Sequence, residues 1–188
     1  MKKLNFVALT TVSIGILFSC QKKIVCIKSE VTDPTVLVSK SGISYAESIA
    51  NWSELKRSNG NSYTYKTAFT SWIGESSITE VKVEDGSVIS RTYEHFKTNE
   101  PNGQKETIDS YSETIENLGV HENGARPVTI DELYSTCSSE YLTADVTDNT
   151  IHFETELNGL MTLCGFVPKG CADDCFTGVS INYFEWTN

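Results

Sequence analysis

The spacing of apolar residues changes period along the chain, and each change marks an element. Residues 44–60 have a helical period, with Tyr45, Ile49, Trp52 and Leu55 or Lys56 on one face. Ser44 followed three residues later by Glu47 makes a capping box, in which each side chain serves the other's backbone N–H. Asn59-Gly60 ends the helix with residues that tolerate the left-handed backbone. The period then falls to two. Tyr63, Tyr65, Thr67 and Phe69 alternate with polar neighbours, as in a half-buried strand. Ile78 to Val83 reads as a second strand, Asp85-Gly86 as a hairpin turn, and Val88 to Phe96 as the returning strand. Residues 61–97 therefore predict a three-stranded antiparallel meander.

The next stretch is less regular. Asn99 to Gly103 reads as a turn. Ile108, Tyr111, Ile115 and Leu118 have helical spacing within a segment rich in Thr and Ser, so 106–118 fits a helix slightly better than a strand. Gly119 to Pro127 reads as a loop. A second helix is predicted from the capping box Thr129/Glu132, with Ile130, Leu133, Tyr134, Cys137 and Tyr141 on one face and Asp131 and Glu132 in the first turn, where the helix dipole favours acid. Strands are then expected at Leu142–Val146, Ile151–Leu157, Leu160–Val167 and Gly178–Trp186, with Asn158-Gly159 the strongest hairpin signal in the chain. Helix-then-strands occurs twice. The expected fold is α+β, an antiparallel sheet or sheets flanked by two helices, with two pseudo-repeated helix-plus-meander halves and a disulfide-stapled C-terminal hairpin.

The N-terminal end changes the picture. Lys2 and Lys3 precede an uncharged, largely apolar run from Leu4 to Phe18, and Leu17-Phe18-Ser19-Cys20 follows the pattern of a bacterial lipobox. The order of charge and apolar length is that of a secretory signal, and the run is short for a bilayer span. Residues 1–19 are accordingly expected to be a lipoprotein signal peptide, 20–40 a tether, and 41–188 a single domain. By resemblance to lipoproteins, Cys20 carries the lipid, and several acyl chains anchor firmly where one would be marginal. No aspartate follows the cysteine, which favours the outer membrane facing the periplasm. The formal net charge of −10 becomes still more negative on loss of Lys2 and Lys3. Such an acidic chain lacks the basic face that nucleic acid requires, and it would be repelled by anionic lipid, so the tether must hold it.

Outside the cytoplasm disulfides persist. With Cys20 lipidated, Cys26, Cys137, Cys164, Cys171 and Cys175 remain, an odd number. Cys26 lies in the tether and is the candidate left over. The other four allow three connectivities. A Cys164–Cys175 bridge across the neck of the last hairpin, leaving Cys137 for Cys171, is the expected one. The rival is a metal site of Cys164, Cys171 and Cys175 with Asp173 or Asp174, but C-x6-C-x3-C is not a common zinc spacing. Asp173 and Asp174 are weak calcium candidates, since two adjacent carboxylates supply too few oxygens. No metal or cofactor is expected.

The residues Asn51-Trp52, Asn61-Ser-Tyr-Thr-Tyr65, Val81-Lys-Val-Glu-Asp-Gly86 and Thr129-Ile-Asp-Glu-Leu-Tyr134, with the tail Cys164-Gly-Phe-Val-Pro168 and Cys171-Ala-Asp-Asp-Cys175, together resemble a family of secreted bacterial lipoprotein domains of unknown function. The likeness spans roughly residues 44–186. It implies a fold and brings no activity.

Candidate chemistry is sparse. His95 and His152 sit in strand runs and His121 beside Glu122 in the glycine loop, without a G-x-S-x-G, H-E-x-x-H or phosphate-binding motif. The alternatives to a non-enzymatic binding module are an envelope hydrolase using His121 or His152 with nearby acids, or a divalent-cation-binding domain using Asp173 and Asp174. Asp109, Glu113 and Glu116 read as a solvated acidic surface. Trp52, Tyr63, Tyr65, Phe69 and Trp72, and later Tyr183, Phe184 and Trp186, read chiefly as core, with an exposed aromatic contact face as the other possibility. The expected role is therefore a membrane-anchored, non-enzymatic module that binds an envelope protein or peptide.

Overall fold

The computed structural model describes residues 37–99 and 102–187. The elements are α1 (Tyr45–Asn59), β1 (Tyr63–Thr70), β2 (Glu75–Glu84), β3 (Ser87–Asn99), β4 (Gln104–Thr114), α2 (Ile130–Thr136) continued by a π-helical turn (Cys137–Tyr141), β5 (Asn149–Thr155), β6 (Met161–Pro168) and β7 (Thr177–Trp186). All seven strands form one antiparallel sheet in the order β4-β3-β2-β1-β7-β6-β5. The fold is α+β. The last strand returns to the middle of the sheet, where Tyr63 pairs with Trp186.

Local chemistry sets most of the elements. Both helices start on the expected capping boxes, at Ser44/Glu47 and Thr129/Glu132. The β2–β3 turn puts Asp85 and Gly86 at φ 48° and 79°, the left-handed pair that a tight hairpin needs. Gly86 is also required by space, because a Cβ there would lie 2.3 Å from the Asn61 side chain.

One face of the sheet carries the core, and its rows can be followed across the strands. The first row runs Phe184, Tyr65, Val81, Arg91, Glu113 and the second Ile181, Thr67, Thr79, Tyr93, Tyr111. Over β1, β7, β6 and β5 lie α1 and α2. Trp52 of α1 is 1% exposed; its ring stacks on Trp186 at 5.5 Å and meets Tyr63 and Phe184 edge-on. The Tyr134 hydroxyl joins the layers: it accepts the Met161 N–H at 2.9 Å and lies 2.8 Å from Ser48 Oγ, which donates to the Gly159 carbonyl. Burial pushes Tyr134 up to about 12 and raises Tyr63 and Tyr65 as well. The segment before α1 also joins the fold. Leu37 packs on the core, and Ser39 is buried within hydrogen-bond distance of Thr155.

Three expectations fail. Residues 104–114 are a strand, not a helix: β4 pairs along its whole length with β3, Tyr93 opposite Tyr111. The apolar residues that suggested a helix, Ile108 and Ile115, are exposed, and the Ser/Thr content suits a strand. Residues 142–146 are not a strand. The Leu142 N–H closes the π-helical turn on the Cys137 carbonyl, and Asp145 then turns the chain by accepting from Thr147 N–H through its side chain and from Asn149 N–H through its carbonyl.

The third failure is the cysteine pairing. Cys137 is bonded to Cys164, with Cα atoms 5.8 Å apart, and Cys171 to Cys175 at 6.3 Å. Cys164 faces the core under the π-helical turn and is fully buried, whereas Cys175 lies in the β6–β7 loop, so the neck bridge cannot form. A gradient of dithiothreitol followed by mass spectrometry is expected to open the exposed Cys171–Cys175 bond in the folded protein and leave Cys137–Cys164 intact. Removing the latter, which spans 27 residues, is expected to cost about 3–4 kcal/mol by loop-closure entropy.

Candidate functional site

Two assemblies carry side chains that the core does not explain. The first lies on the rows just traced. Arg91 and Glu113 face each other on β3 and β4, 2% and 0% exposed, and form a bidentate pair: Nε donates to Oε2 at 2.8 Å and Nη2 to Oε1 at 2.7 Å. The loop after β4 is drawn over them. Arg91 donates to the carbonyls of Ala125 and His121, and Glu113 accepts the N–H groups of Gly119 and His121. The His121 Nδ1 stands 2.9 Å from Glu113 Oε1, its ring stacks on Tyr111 at 4.0 Å, and the Arg91 guanidinium sits 5.0 Å over the same tyrosine. The Tyr111 hydroxyl donates to the Asn123 carbonyl. The Arg91 guanidinium, with the loop N–H groups adding to it, holds the Glu113 carboxyl well below the usual range, against the opposing pull of burial.

Sequence reasoning missed this network. It placed Glu113 on a solvated surface and passed over Arg91. The available signal was phase: Arg91 alternates with Tyr93 on the inward face of a strand, a position an arginine takes only with a partner. A carboxylate beside a histidine is also the geometry of acid–base catalysis. Here the carboxylate is buried and engaged by five donors, so its chemistry is to clamp the loop and orient His121. The other histidines stand elsewhere. His95 Nε2 is 3.0 Å from Glu75, and the His152 ring meets Phe176 edge-on at 6.5 Å.

The second assembly is at the β1–β2 end. Trp52, Tyr63 and Tyr65 are core, but Phe69, Trp72 and Ile73 are exposed, Trp72 to 76%. They adjoin the disulfide loop: Asp174 accepts the Trp72 N–H, and Phe69 and Phe176 line a groove of about 280 Å³ with Thr67, Thr79, Val179 and Ala125. Asp173 and Asp174 are exposed, and no group of three or more potential metal ligands occurs among the described residues. Cys20 and Cys26 lie outside the described residues. No helix among those described is long and apolar enough to cross a membrane.

No protein-family model, curated protein or solved structure matches the chain.

Proposed function

We propose that the protein is a bacterial lipoprotein, anchored through Cys20 at the outer membrane and facing the periplasm, whose domain is a non-enzymatic binding module of the cell envelope. The observation that carries the binding part is the exposed cluster Phe69, Trp72, Ile73 and Phe176 at one end of the molecule. Scattered surface apolar residues need no account, but Phe69 and Phe176 line one groove and the exposed Trp72 and Ile73 follow in the turn after β1, which marks a contact site, and aromatic anchors dominate such contacts. The anchor rests on the Leu17–Cys20 sequence pattern, and the recurring order of helix and meander supports a pseudo-duplicated layout in the kind of lipoprotein domain that the sequence resembles.

The competing reading, a hydrolase centred on His121, is favoured by the 2.9 Å Glu113 contact. It is weakened by the saturation of that carboxylate.

Two experiments on the full-length chain test the proposal. The wild type is expected to incorporate palmitate and sediment with membranes, and Cys20→Ser to do neither. A photo-cross-linking residue in place of Trp72 is expected to give a discrete adduct in envelope preparations, and one in place of Leu157, 90% exposed elsewhere, to give none. Equal labelling at both sites would remove the patch as a binding surface.

A further inference from the structure

The sheet is continuous except at the exposed end. The β1–β7 ladder shifts register after Lys66 and stops at Thr67 opposite Ile181. Beyond that point β1 continues as Ala68–Thr70, paired to β2, and β7 begins as Thr177–Ser180, paired to β6. No pairing joins these two stretches among the described residues. The Ala68 N–H, turned toward β7, is met by the side-chain oxygen of Asn182 at 2.8 Å in place of a strand carbonyl. Strand residues alternate in direction, so Thr70 presents its backbone groups to the same gap. The gap is the groove already described. Ala68, Gly178 and Ser180 line it together with Thr67, Phe69 and Val179. The third inward row, Phe69, Ser77, His95, Asp109, lies past the helices and carries the exposed Phe69 at its end.

Resting on the reading of this domain as a binding module, we infer that the gap between β1 and β7 is a slot for an extended peptide, which adds as a strand and completes the ladder. Backbone groups left open along two neighbouring strands call for main-chain partners, and alternate side chains of an added strand would meet Phe69 and Phe176. Charge selects the peptide. Asp173 and Asp174 stand exposed in the β6–β7 loop that supplies Phe176 to the groove, without a basic partner among the described residues, and the whole chain carries −10. The occupant is therefore a basic, alternately apolar segment of another polypeptide. Gly178 is required by its β6 side, where a Cβ would lie 2.2 Å from the Cys164 carbonyl.

The test uses the full-length chain in non-ionic detergent micelles and three synthetic peptides: alternating Lys–Val, the same peptide N-methylated at every second residue, and alternating Glu–Val. Lys–Val is expected to bind, and N-methylation, which leaves the charge unchanged but removes strand donors, to weaken it by about tenfold or more. Glu–Val is expected not to bind. Hydrogen exchange is expected to slow at Thr70, Gly178 and Ser180 in the complex, and Ala68→Trp, which fills the slot from an exposed position, to abolish binding. Equal affinity for the methylated peptide would overturn the proposal, as would protection confined to the edge strands β4 or β5. Should Ala68→Trp fail to fold, the exchange pattern in the wild type decides alone. A Trp72 adduct without protection in the slot would end the strand proposal and leave the binding-module reading standing. Loss of both would end both.

Discussion

Arg91→Met is expected to destabilise the protein by about 3–5 kcal/mol, because it leaves Glu113 charged, buried and without its bidentate partner. For a domain of this size that is a fall in melting temperature on the order of 10 °C. The double variant Arg91→Met/Glu113→Leu is expected to recover much of the loss, since a buried pair replaced by apolar groups of similar volume is often neutral. A double variant as unstable as the single would show that the loop contacts of Arg91 matter more than the pair. The same carboxylate gives a pH dependence. Its native value lies below the ordinary 4.5, so its stabilisation is complete above about pH 4.5 and is lost as pH falls from there toward the native value. Urea unfolding between pH 6 and 2.5 is expected to show this fall in the wild type and a flatter profile in the double variant.

Trp52→Ala is expected to cost about 3–5 kcal/mol, the ordinary penalty for emptying a core aromatic site. The cavity would open between α1 and the Tyr63, Phe184 and Trp186 rings, which belong to the two strands that close the sheet. Trp52→Phe is expected to cost well under half as much. The indole Nε1 is buried without a hydrogen-bond partner among the described residues, so phenylalanine loses packing but also removes an unsatisfied donor. Denaturant midpoints of the two variants, measured at unchanged slope, check both values.

The two perturbations differ in how far they were legible. Trp52, Tyr63 and Tyr65 follow from periodicity and capping alone, and so do both helix starts and the Asp85-Gly86 hairpin. Arg91 and Glu113 do not, because their partnership depends on the β3–β4 register, and the spacing that tips 106–118 slightly toward a helix over a strand includes Ile108 and Ile115, which stay exposed. Phe69 and Trp72 show the same limit from the other side. Phe69 keeps the phase of Tyr63 and Tyr65 and Trp72 follows in the turn after β1, yet both lie past the end of the helices that cover the sheet.

By itself the sequence determined the class of the fold, the caps and most of the turns. These are local: each is decided by residues a few positions apart, whose backbone preferences act wherever the chain goes. The tertiary structure alone decided which cysteines meet, which acid is buried and where the sheet parts. Those depend on pairing between segments distant in the chain, and a shift of one residue in register turns every side chain of a strand to the other face.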